Sequence, residues 1–105
     1  MKIRHDYYVY ILLCADGSYY TGMTNNMDKR LEEHTQGYIT SCYTFSRRPL
    51  ILKYHEHFHN VDEAIRKEKQ IKGWTRKKKE ALINSDFDEL IRLAKRRSKP
   101  DGAVG

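Results

Sequence analysis

The chain has 105 residues, 39% of them hydrophobic, and a net charge of +6 from 20 Lys and Arg against 14 Asp and Glu. That suffices for one ordinary domain and not two, and it is too apolar for a disordered polymer. The longest apolar run, Val9 to Ala15, is too short to span a bilayer, and Met1 to Asp6 lacks the apolar stretch of a signal peptide.

Tyr7 to Cys14 is aromatic and β-branched and predicts a strand. Asp16-Gly17 marks a turn, and Ser18 to Thr24 a returning strand. Thr24, Asn25 or Asn26 can cap a helix over about 26–35, closed by Gly37. Residues 38–49 read as loop or short helix. Leu50 to Phe58 alternates, with Leu50, Leu52, Tyr54 and Phe58 on one side, and predicts a half-buried third strand. Asn60 opens a helix to about Lys72, Thr75 one to about Asn84, and Ser85 a last one to about Arg97. The order β-β-α-β-α-α-α predicts an α+β domain over 1–97, a small three-stranded mixed or antiparallel sheet flanked by helices. A flexible tail, 98–105, follows. Cys14 and Cys42, without a CxxC pattern, fit neither a disulfide framework nor a zinc ribbon and imply reduced thiols in the cytoplasm.

The charge is uneven. Residues 66–99 carry 13 basic and five acidic side chains, a balance of +8, whereas the remainder has seven basic and nine acidic. A polyanion such as nucleic acid is the partner this implies; a solvated lysine-rich face is the plain alternative. Glu68 falls on the apolar stripe of Val61, Ala64, Ile65 and Ile71. A carboxylate there either pairs, with Lys72 four residues on, or holds one hard cation. His55, His57 and His59 present imidazoles at strand spacing, either as a zinc set or as an exposed face.

Tyr10 and Tyr20 share a face only for one hairpin register. A two-residue Asp16-Gly17 turn pairs Tyr10 with Met23 and sets the two tyrosines on opposite faces. A three-residue Ala15-Asp16-Gly17 loop pairs Cys14 with Ser18 and Tyr10 with Gly22, and brings them together.

The ordered set Tyr8-Val9-Tyr10, Tyr20-Thr21-Gly22, Arg30, His34 and Glu68 resembles the GIY-YIG nuclease superfamily over roughly residues 6–84. It is most similar to the small single-domain bacterial subgroup, and resembles the catalytic module of the excision-repair nuclease UvrC. Tyr8 stands where the name motif has its first Gly, and Thr21 where it has Ile. Thr40, Ser41 and Tyr43 occupy the loop where some members carry a second basic or His residue, and Asn84 lies near a late Asn of many members. The resemblance implies a metal-dependent endonuclease, acting on DNA ahead of RNA, directed by structure rather than sequence, with DNA repair as a setting. Tyr10, Tyr20, Arg30, His34 and Glu68 are then catalytic. Glu68 is the sole protein ligand of one Mg²⁺ or Mn²⁺, Tyr10 the base or water-positioning group, and Arg30 the phosphate fork. Arg47, Arg48, Lys69, Lys72, Trp74, Arg76, Lys77 and Lys78 would track the nucleic-acid backbone, with Trp74 either stacking on a base or anchoring the core. A protein partner supplies targeting where the chain itself has none. The alternative is a non-catalytic or partner-dependent nucleic-acid-binding module on the same scaffold.

Overall fold

A computed structural model describes residues 5–39 and 42–98. The expected tail, apart from Ser98, and the Thr40-Ser41 loop positions lie outside the described residues. The elements are β1 (Tyr7–Leu13), β2 (Tyr19–Thr24), α1 (Met27–Gln36), a 3₁₀ turn (Phe45–Arg47), β3 (Ile51–Phe58), α2 (Val61–Lys72), α3 (Arg76–Ile83) and α4 (Phe87–Ser98). The order is the predicted one, and the sheet is antiparallel throughout, in the spatial order β2-β1-β3. Two compact units result, one ending at Gly73 and one starting at Trp74.

In the first unit β1 is the central strand. Val9, Tyr10, Ile11 and Leu12 are all fully buried, so both faces of β1 are covered. This explains why its sequence runs continuously apolar instead of alternating. β3 is an edge strand and does alternate: Leu52, Tyr54, Glu56 and Phe58 are half-buried, and Ile51, Lys53, His55 and His57 are exposed. Helix α2 packs against all three strands and buries Ala64 and Ile71. Helix α1 starts at Asn26, whose side chain accepts from the Lys29 amide at 3.1 Å, and ends at Gly37. Asn60 caps α2 in the same way through the Glu63 amide.

In the second unit α3 and α4 pack on each other, and Ala81, Leu82 and Leu93 are buried. Thr75 caps α3 through the Lys78 amide. The expected Ser85 cap of α4 is corrected. Ser85 has φ 55° and closes α3: its amide reaches Leu82 O and the Asp86 amide reaches Ala81 O. That is the left-handed closure of a helix end. Asp86 is the residue that caps α4, accepting from the Glu89 amide at 3.2 Å.

Candidate active site

The hairpin adopts the three-residue register. Tyr10 pairs with Gly22, the Cys14 amide donates to Ser18 O at 2.8 Å, and Gly17 sits at φ 86°, where a side chain would be strained. The Asp16 carboxylate accepts from the Ser18 amide and hydroxyl and fixes the turn. Tyr10 and Tyr20 therefore face the same way, with ring centroids 6.3 Å apart. The Tyr10 ring lies directly over Gly22: a Cβ on that residue would stand 2.5 Å from Tyr10 Cζ. Glycine is required here for close approach.

Helix α1 delivers His34 to the same face. The Tyr10 hydroxyl is 2.9 Å from His34 Nε2, and His34 Nδ1 is 2.8 Å from Thr44 Oγ1. The Thr44 hydroxyl donates to Cys42 Sγ at 3.4 Å, which leaves its oxygen to accept from Nδ1–H. The network then assigns His34 Nε2 as the acceptor of the Tyr10 proton. Burial, and then the charge of Arg30, pull the His34 imidazole below its ordinary pKa, so it is neutral at pH 7. Burial, then the neighbouring Tyr20, push the Tyr10 phenol far above its ordinary range, while Arg30 opposes them through a hydrogen bond and its charge. The resting pair is thus a neutral phenol held by a neutral imidazole.

This arrangement fixes a sign for pH dependence. With its folded pKa below the unfolded value of about 6.5, His34 contributes stability above that pH and loses it as pH falls toward the folded value. Thermal unfolding at about pH 8 and about pH 5.5 should show wild type losing more on acidification than His34→Gln. Equal losses would contradict the buried neutral assignment.

Arg30, one helical turn before His34, is 35% exposed and forms an ion pair with Glu33 at 3.1 Å. Tyr20 lies edge-on to His34 at 5.4 Å and stacks on Tyr43 at 6.0 Å. Burial raises the Tyr20 phenol, as do Cys42 and, more weakly, the Glu68 carboxylate. Glu68 is 18% exposed on the α2 stripe, and its carboxylate meets Lys72 Nζ at 2.9 Å. Four of the predicted residues, Tyr10, Tyr20, Arg30 and His34, thus come together, and Glu68 lies near enough for its charge to be felt weakly at Tyr20. The ion pair with Lys72 is present as well.

The loop after α1 adds Thr44 and Cys42, which the sequence did not single out for the site, beside Tyr43, which it did. Thr44 is 1% exposed and orients His34. Cys42 Sγ lies 3.9 Å from His34 Nδ1; burial raises its pKa, but hydrogen bonds from Thr44 and Tyr20 and the charge of Arg30 outweigh this and leave it lowered. Tyr43 covers Tyr20 and donates to Ser18 Oγ at 3.1 Å.

The predicted backbone-tracking residues divide. Arg47 bonds internally, with Nε on Asp16 at 3.1 Å, a nitrogen on Tyr43 O at 2.8 Å, and the guanidinium over the Tyr43 ring. It pins the loop to the hairpin. Arg48, Lys69 and Lys72 are exposed in the first unit, and Arg76 and Lys77 in the second. Lys78 is corrected as an exposed phosphate contact: it is 7% exposed, with Nζ 4.7 Å over the half-buried Trp74 ring.

Residues 6–81 match the GIY-YIG catalytic domain family. A UPF0213 protein of Bacillus pumilus is 49% identical over 80 residues, covering 76% of this chain and 81% of that one. One of Clostridium perfringens is also 49% identical, over 74% and 83% of the two chains. Two solution NMR structures are similar. A UPF0213 protein of Bacillus halodurans has 42% identity and a TM-score of 0.51 over 75% of this chain and 83% of its own. A protein from E. faecalis has 38% identity and a TM-score of 0.57 over 83% and 92%.

Proposed function

Because the chain belongs to the GIY-YIG family, we propose that it is an endonuclease hydrolysing phosphodiester bonds. DNA is its substrate ahead of RNA, chosen by structure and charge rather than by base sequence, in a repair-related role. The observation that carries this reading is the buried Tyr10 hydroxyl, 2.9 Å from His34 Nε2 and within reach of the Arg30 guanidinium, which opposes the rise of the phenol. Packing alone needs no arginine and histidine converging on one phenol.

Each residue has a task. Arg30 holds a phosphate oxygen and opposes the negative charge that grows in the transition state. Tyr10 orients the attacking water and passes its hydroxyl proton to His34 Nε2 as it accepts one from that water. Thr44 keeps the acceptor nitrogen of His34 turned toward Tyr10. Tyr20 donates to the phosphate or to the water. Glu68, one partly buried carboxylate, suits a hard divalent cation, which would displace the Lys72 ammonium from it. Bound there, Mg²⁺ or Mn²⁺ supplies positive charge against the phosphate and the leaving oxygen. The exposed cations Arg48, Lys69, Lys72, Arg76 and Lys77 favour a polyanion without reading bases. Free thiols at Cys14 and Cys42 suit a reducing cytoplasm.

The Glu68–Lys72 pair favours one second reading, a nucleic-acid-binding module in which that carboxylate only braces α2. Tyr10→Phe separates the two. It removes one hydroxyl, leaves the ring over Gly22, and should keep nucleic-acid affinity while cleavage falls by about 10²–10⁴-fold. Cleavage at the wild-type rate by the variant would overturn the role given to Tyr10.

A further inference from the structure

The antiparallel register of β1 and β3 brings together three metal-ligating side chains away from the tyrosine cluster. Tyr7 pairs with Phe58 and Tyr8 with His57, so Asp6, one residue before β1, arrives opposite His59, one residue after β3. Asp6 Oδ1 is 2.7 Å from His57 Nε2 and 3.9 Å from His59 Nδ1, and one ligand atom from each residue lies within 4.8 Å of the others. The two imidazoles stand edge to face with centroids 4.5 Å apart. The Tyr8 ring stacks on His57 at 5.0 Å and holds its plane. His59 Nδ1 also lies 3.3 Å from the His5 carbonyl.

We propose that Asp6, His57 and His59 form a second cation site, for a transition ion of the Zn²⁺ type. The sequence offered His55, His57 and His59; Asp6 takes the place of His55, which pairs with Tyr10 further along the strand. Two imidazole nitrogens and one carboxylate oxygen select Zn²⁺, Co²⁺ or Ni²⁺ over Mg²⁺, whereas a lone carboxylate completed by water discriminates little and takes the abundant Mg²⁺. The two sites are therefore chemically distinct. Metal–donor bonds of about 2.0–2.2 Å set tetrahedral donors about 3.4 Å apart, so a bound ion would open the Asp6–His57 pair slightly and draw His59 inward. Side-chain exposures of 32% for Asp6, 36% for His57 and 70% for His59 leave water to complete the shell. The ion would clip the start of β1 to the end of β3, a link between residues 51 apart in sequence. It is independent of the nuclease reading.

The test is a calorimetric titration of Zn²⁺ into untagged protein with Mg²⁺ in large excess, with histidine resonances followed in parallel. One Zn²⁺ per chain is expected, shifting the His57 and His59 signals and raising the melting temperature. Asp6→Asn and His57→Ala should each weaken binding at least about tenfold, and Glu68→Gln should bind as wild type does. Absence of stoichiometric binding, equal binding by His57→Ala, or loss of binding in Glu68→Gln would overturn the site.

Discussion

Arg30→Ala is expected to lower the cleavage rate by about 10²–10³-fold while the fold stays intact, the range seen when one preorganised donor to a developing charge is removed. Two effects act together and outweigh the stronger base that His34 becomes once the charge depressing it is gone: the phosphate loses its charged fork, and Tyr10 loses the cation that opposes its rising pKa. The partner left behind, Glu33, is 26% exposed in an i,i+3 pair, so the melting temperature should hardly move. Arg30→Lys keeps the charge without the fork and should recover only part of the rate. Single-turnover kinetics beside a thermal melt check this; an unchanged rate in Arg30→Ala would remove Arg30 from the site.

Gly22→Ala is expected to damage both stability and activity. The new methyl would sit 2.5 Å from Tyr10 Cζ, so the fully buried Tyr10 ring would have to shift. Forcing a packed ring aside costs about 1–3 kcal/mol. The displaced hydroxyl also leaves His34 Nε2 without its partner, which adds about 1–3 kcal/mol. A melt, with the near-ultraviolet tyrosine signal as a packing probe, reads the first effect, and cleavage reads the second. A variant as stable and active as wild type would contradict the close approach of ring and glycine.

How much of this was legible depended on whether the physics was local. The shared face of Tyr10 and Tyr20 followed from the period of two along a strand and a loop length that Gly17 signals. Helix starts at Asn26, Asn60 and Thr75 followed from side chains that cap their own helices. Ser85 misled because serine is both a good cap and tolerable in a turn; which role it takes depends on Asp86 beside it. Asp6 was invisible as a partner of His57 and His59, since only the register of two strands far apart in sequence brings it there. Thr44 and Cys42 lie in an irregular segment with no periodicity to mark them. The burial of Lys78 under a run of four basic residues is a packing fact that charge counting does not carry. For Glu68 the stripe position was readable, and so was its pairing with Lys72 four residues on.

Cutting of nucleic acid by the Tyr10–His34–Arg30 cluster would depend on a cation held at Glu68. The most direct measurement is cleavage of flapped, nicked, branched and single-stranded DNA and RNA by wild type and Glu68→Ala, with Mg²⁺ or Mn²⁺ and with a chelator. Wild type is expected to cut at least one structured DNA in a metal-dependent way, and Glu68→Ala none above background. Binding without cutting by wild type on every substrate, or equal cutting by Glu68→Ala, would contradict it.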